Sequence, residues 1–217
     1  LPAYIFALIA TATAFLPSSP ARAEVGEVRL AQQFGINYLP LTIMRTENLI
    51  EKHAAALGLG KIKVTWLKFG GSNSINDALL SGQLDFGSGG VAPLLTVWDK
   101  TKGIFDVRGV AALGSMPFYL NSSNPNVKTL ADFTSKDKIA LPAVEVSIQA
   151  VVLQMAAAKA FGMANYKKLD RLTVGMKHPD AMAALLSGTE VTAHFANSPF
   201  QEQELQNPAV HRVLSSY

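Results

Sequence analysis

Along this chain the hydrophobic positions switch repeatedly between alternating and helical spacing, and glycine or proline marks most of the switches. Glu27 to Gln33 places Val28 and Leu30 on one face and reads as a short strand. Phe34-Gly35-Ile36-Asn37-Tyr38-Leu39 is a loop, and Pro40 stands where the first turn of a helix tolerates it. That helix is expected to reach Leu57 and stop at Gly58. Lys61 to Phe69 alternates Ile62, Val64 and Trp66, as a half-buried strand does. Gly70-Gly71-Ser72 breaks it, and Ser72 or Ser74 can cap a helix that ends at Gly82. Leu84 to Gly87 is a further strand, and Ser88-Gly89-Gly90 leads into a helix bearing Pro93.

The second half repeats this grammar. Ile139 to Leu141 is a strand before Pro142, and Ser147 can cap a helix through Phe161 that Gly162 ends. Leu172 to Met176 is a strand, and Pro179 opens a helix whose stop is Gly188. Glu190 to Ala196 alternates Val191, Ala193 and Phe195, and Pro199 starts another helix. Ala78-Leu79-Leu80-Ser81-Gly82 recurs as Ala184-Leu185-Leu186-Ser187-Gly188. After each copy come a short strand, a small polar loop and a proline-led helix. The pattern predicts an α/β chain of two related lobes, each a mostly parallel sheet flanked by helices. Residues 24–115 form the expected first lobe and 116–217 the second, with the join near Gly114 to Pro125.

The N-terminus has a different character. Tyr4 to Leu16 is an apolar run shorter than the roughly 20 residues a membrane-spanning helix needs. Pro17-Ser18-Ser19-Pro20 follows, then Ala21-Arg22-Ala23, with small residues where a signal peptidase requires them. Residues 1–23 are therefore expected to be a secretory signal, with a buried core helix as the competing reading; no Lys or Arg precedes the apolar run. The chain has no cysteine, which excludes a disulfide framework, a thiolate metal site and a cysteine nucleophile. Position 24, the predicted mature start, is Glu24 rather than the cysteine a lipid anchor needs, so the expected location is free in a bacterial periplasm.

Charge narrows the partners. The formal net charge is +3, but the basic residues are scattered and Lys167-Lys168 is the only adjacent pair. No nucleic-acid surface is expected from that distribution.

Candidate chemistry sits in the loops. Open α/β sheets bind ligands outside the carboxyl ends of their strands. Four loops here fit that place and feed helix N-termini: Asn37-Tyr38, Ser72-Asn73-Ser74, Ser88-Gly89-Gly90 and Ser147. A helix N-terminus offers unpaired N–H donors and about half a positive charge, which favours an anion. Serine and asparagine add donors, glycine lets backbone approach closely, and Phe34, Tyr38, Phe195 and Phe200 can supply apolar walls. The plainer reading of any single loop is a cap or turn. Enzyme signatures are thinner. Gly87-Ser88-Gly89-Gly90-Val91-Ala92 has the outline of a dinucleotide fingerprint, but Pro93 follows directly and the strand is the third in its half. Ser88 is not in a G-x-S-x-G elbow. His53, His178, His194 and His211 lack metal-ligand spacing, so no metal or cofactor is expected. His194 alone among them sits where a loop can meet a ligand, with core and binding roles equally open.

The stretch Ala78 to Pro93, Ile139-Ala140-Leu141-Pro142 leading to Ser147, and Leu186-Ser187-Gly188 leading to Ala196-Asn197-Ser198-Pro199 resemble the periplasmic receptors of nitrate, sulfonate and taurine ABC importers. The resemblance runs from Glu27 to the end. It implies a two-lobed fold of the type II periplasmic-binding-protein kind that closes on a small, often anionic ligand and docks, as a monomer, on a membrane permease. Carried over by position, the implied contacts are Phe34, Asn37, Tyr38, Ser72, Asn73, Gly89 and Gly90 from the first lobe. From the second come Ser147, Ile148, His194 and Asn197. The resemblance departs in two places. Family members continue well past this length to complete the first lobe, and strand-like Val210 to Leu214 is the expected start of that return. No Arg or Lys stands in the proposed loops to clamp a sulfonate. The same fold includes an enzyme branch for a thiamine pyrimidine precursor that relies on cysteine, which this chain lacks. A ligand-sensing domain is the remaining alternative, without a helix-turn-helix to support it.

Overall fold

The computed structural model describes residues 26–217; the expected leader at 1–23 lies outside them. The first sheet pairs β1 (Glu27–Gln32) with β2 (Lys63–Lys68) in parallel, setting Val28 beside Val64 and Leu30 beside Trp66. The strand expected over Leu84 to Gly87 shrinks to one parallel bridge between Leu30 and Phe86. Asp85 explains the contraction. Its carboxylate accepts from the Arg29 backbone N–H at 2.7 Å and from the Arg29 guanidinium at 2.8 and 3.1 Å. A ladder donor that would otherwise meet a strand carbonyl is thereby taken by a side chain.

Four helices cover this sheet: α1 (Leu39–Thr46), α2 (Leu49–Ala56), α3 (Ser72–Leu80) and α4 (Val91–Thr101). The single helix expected from Pro40 to Leu57 is two, because Asn48 adopts the left-handed conformation at φ 50° and interrupts the helical path. Gly71, not a serine, caps α3, and Ser72 lies inside it. Ala31, Ile75, Ala78 and Leu84 form the small buried core of this half.

The second sheet has the order β5-β4-β6-β3-β7, with β3 (Tyr119–Ser122), β4 (Ile139–Leu141), β5 (Thr173–Gly175), β6 (Ala193–Ala196) and β7 (His211–Ser215). β4 runs parallel to β5 and β6, while β3 is antiparallel to β6 and β7, so this sheet is mixed. β7 covers most of the Val210 to Leu214 segment, but it pairs inside the second sheet rather than turning to the first.

Around this sheet lie α5 (Ile148–Phe161), α6 (His178–Ser187) and α7 (Phe200–Glu204). The two-residue period of β4 sorts its side chains. Ile139 and Leu141 pack with Ala193, Phe195 and the Leu153 and Ala157 of α5, whereas Ala140 packs with Ala181 and Leu185 of α6. Burying each large aliphatic chain stabilises the lobe by about 1.5–3 kcal/mol. Both copies of the internal repeat end a helix on a left-handed glycine, Gly82 at φ 69° and Gly188 at φ 66°. Among the described residues no helix is long and apolar enough to cross a membrane.

Candidate ligand-binding cleft

The carboxyl ends of β1 and β2 and the bridge at Phe86 deliver three loops to one place, and Gln33 ties them together. Its Nε2 donates to Ser72 Oγ at 3.1 Å and to the Ser88 carbonyl at 2.9 Å. Ser88 Oγ in turn donates to the Ala31 carbonyl at 2.7 Å. Gly89 lies against the same group, since a Cβ there would sit 3.4 Å from Ser72 Oγ and 3.5 Å from Gln33 Nε2. Tyr38, in the loop after Gln33, is buried, and burial pushes its hydroxyl up to about 12, with the Asn37 side chain pulling the other way.

The second lobe meets this cluster at three points. Asn197 Nδ2 donates to the Phe34 carbonyl at 3.1 Å and reaches Asn37 Oδ1 at 3.4 Å, and the Ile36 N–H donates to the Ser198 carbonyl at 2.9 Å. Gly70 and Gly71 lie against Lys177 and the Pro142 carbonyl, and a Cβ at Gly71 would collide with that oxygen. Gly90 faces Ile148, whose Cβ lies 2.6 Å from where a Gly90 Cβ would be. At Gly71 the missing side chain lets two backbones approach, and at Gly70 and Gly90 it lets the Lys177 and Ile148 side chains close on the opposing backbone.

Three helix N-termini therefore gather at the seam: α3 behind Gly71, α4 behind Gly90 and α5 behind Ser147. Their aligned peptide dipoles make the seam attractive to negative charge. Two cations stand at its edge. Lys68 Nζ lies 4.2 Å from the Phe34 ring centroid, and the stem of Lys177 packs on Gly70. Asn197 Oδ1 is buried with no hydrogen-bond partner among the described residues, an acceptor left open between the lobes.

Most of the residues singled out in the sequence come together here. Phe34, Asn37 and Asn197 are bonded across the seam, Ser72 and Gly89 share Gln33, and Gly90 meets Ile148. Asn73 reaches this wall through its side chain, 3.0 Å from the Gly71 Cβ position. Ser147 caps α5 by accepting from the Ala150 N–H at 3.2 Å. His194 is placed elsewhere. It is fully buried within the second lobe, with Nε2 against His178 Nδ1 at 2.8 Å and Nδ1 against Glu204 Oε1 at 2.5 Å. Phe195 is likewise core, and Phe200 stacks on the His178 ring. Gln33 and Lys177 are not among the site residues expected from the sequence, and Pro142 is expected only as a strand end and part of the motif leading to Ser147. Pro142 directly after a strand was a usable signal; a lone glutamine or lysine carries none.

No family model matches the chain, and no curated protein sequence matches it significantly. Solved structures do. The alkanesulfonate-binding protein SsuA from Xanthomonas axonopodis pv. citri, bound to MOPS, superposes with a TM-score of 0.64 at 19% identity over 89% of this chain. The periplasmic nitrate-binding protein NrtA from Synechocystis PCC 6803 does so with a TM-score of 0.64 at 15% identity over 90%. This chain has the periplasmic-binding-protein fold. The periplasmic aliphatic sulphonate binding protein SsuA from Escherichia coli agrees, with a TM-score of 0.54 at 20% identity over 88%. The chain spans 62%, 52% and 60% of these three proteins respectively. The polar seam lies outside the carboxyl ends of the strands, the place where open α/β sheets take ligands in general.

Proposed function

We propose that this chain is the solute-capturing receptor of an ABC importer, taking a small, anionic organic or inorganic ligand between two lobes and catalysing no reaction. The observation that carries the reading is the convergence of three helix N-termini, from both lobes, on one seam lined by Ser72, Asn37 and Asn197. Such a seam binds negative charge through backbone N–H groups without needing a clamping arginine. Lys68 at the edge adds favourable potential, Lys177 being paired with Asp180, and the open Asn197 Oδ1 offers an acceptor to a ligand that also carries a donor. The glycine contacts at Gly71 and Gly90 suit surfaces that separate and close again. The site on this reading is Phe34, Asn37, Tyr38, Ser72, Asn73, Gly89, Gly90, Ser147, Ile148 and Asn197, with Gln33 as its organiser. The lobes divide as residues 24–115 and 116–217. The receptor works as a monomer, exported by its leader to the periplasm, where it delivers the ligand to a membrane permease.

The test is equilibrium titration of the purified protein with nitrate, bicarbonate, taurine, alkanesulfonates, aromatic carboxylates and thiamine-related pyrimidines. A saturable one-to-one isotherm, with the ligand recovered unchanged, supports the reading. Conversion of a ligand to product, or failure to bind any of them, contradicts it.

A further inference from the structure

Inside the second lobe runs a chain of polar side chains that solute capture does not use. Gln149 Nε2 lies 3.2 Å from His178 Nε2, His178 Nδ1 2.8 Å from His194 Nε2, and His194 Nδ1 2.5 Å from Glu204 Oε1. Asn121 Nδ2 closes the far end, donating to Glu204 Oε2 at 2.8 Å. All five residues are at most 4% exposed, and they come from α5, α6, β6, α7 and β3, one from each. A surface network can trade partners with water; this one cannot.

Each link needs one hydrogen, and that fixes the states available. In the first, Gln149 donates to His178 Nε2, His178 Nδ1–H donates to His194 Nε2, and His194 Nδ1–H donates to the Glu204 carboxylate. Both rings are neutral and the chain holds one buried negative charge. In the second, one proton from solvent binds His178 Nε2, and the Nδ1 proton of His178 passes to His194 Nε2. His194 is then an imidazolium against the Glu204 carboxylate, and the buried charge is cancelled. His178 remains neutral in that state, consistent with burial and the neighbouring His194 holding it well below the usual histidine range. Its Nε2 now donates, so Gln149 must turn its amide to offer the oxygen.

We propose that Gln149, His178, His194 and Glu204 form a single-proton switch whose moving part is the Gln149 amide in the first turn of α5. Gln149 follows Ile148, the residue that meets Gly90 across the seam, so the switch sits one residue along the first turn of α5 from that contact. Its influence on capture rests on the receptor reading; the switch itself does not. The charged groups nearest in sequence to the chain are bound to other partners. Lys177 and Asp180 pair with each other at 3.6 Å and are more than half exposed, and Glu202 accepts from Ser198 and Gln201. His211, on the outer strand β7, bonds the Val127 carbonyl. The facing residues Asn121 and Gln201 are uncharged.

The test is an NMR titration of the ligand-free protein from about pH 5 to about pH 9, across the ordinary histidine range, following the imidazole nitrogens and the Gln149 side-chain amide. His178 and His194 are expected to change together at one shared midpoint, with the Gln149 amide moving at the same pH. Glu204→Gln is expected to abolish the shared step. Gln149→Leu, which removes the partner of His178 Nε2 in both states, is expected to move the midpoint while the two histidines still change together. Separate midpoints for the two histidines, no step at all, or a Gln149 amide indifferent to the step would each overturn the proposal. If Glu204→Gln does not fold, the wild-type titration and Gln149→Leu decide. No ligand enters the experiment, so its outcome is independent of whether the seam captures a solute.

Discussion

At the scale of single residues, His194 and Glu204 show how a buried charge is kept. Both are fully buried, and each has its polar atoms aimed at the other or at Asn121 and His178. Removing one partner strands the other. His194→Leu is expected to cost about 3–5 kcal/mol by leaving the Glu204 carboxylate without its imidazole, which a denaturant midpoint will register. His178 adds a pH dependence whose sign is fixed. Burial, then the nearby His194, hold its basicity well below the usual 6.5, so the unfolded chain takes up a proton there that the folded one refuses. Stability from this group is complete above about pH 6.5 and declines as pH falls, by at most about 1.4 kcal/mol per pH unit. Denaturant midpoints at neutral and mildly acid pH should separate in the wild type and separate less in His178→Gln.

At the scale of elements, punctuation decided what could be read in advance. Ser147 and Gly162 frame α5 as expected, because a capping hydroxyl and a glycine stop have local causes. Gly82 and Gly188 were visible for the same reason. Neither would touch anything with an added Cβ, so Gly188→Ala is expected to cost about 1 kcal/mol through backbone conformation alone. Thermal unfolding measures it, and no change would mean the helix end frays instead. Other features had no local cause. The break between α1 and α2 depends on one asparagine turning left-handed. β3 carries the buried polar pair Asn121 and Ser122, which no alternation of apolar residues announces, and its partners lie far along the chain. The shortfall at Leu84 to Gly87 depends on Asp85 reaching back to Arg29. The site divides similarly. The Ser, Asn and Gly loops were legible as helix entrances, whereas the Gln33 hub and the burial of His194 beside Glu204 are properties of tertiary packing.

At the scale of the whole molecule, the two halves touch at glycines, Gly71 on the Pro142 carbonyl and Gly90 on the Ile148 side chain, and through the Asn197 amide. Contacts of that kind can open without unfolding either lobe. Gly90 is the sharpest point at which to intervene. Its φ of −76° suits any residue, but a side chain there must displace Ile148. Gly90→Val is therefore expected to leave each lobe folded while propping the seam apart. The most direct test of the receptor account is the thermal shift of wild type and Gly90→Val against the same panel of small anions and zwitterions. Ligand at about 100 times its dissociation constant should stabilise the wild type by about 2.7 kcal/mol, a rise of several degrees, and the variant by far less. Equal rises in both proteins would place binding outside the seam, and no rise in the wild type with any ligand would contradict the account.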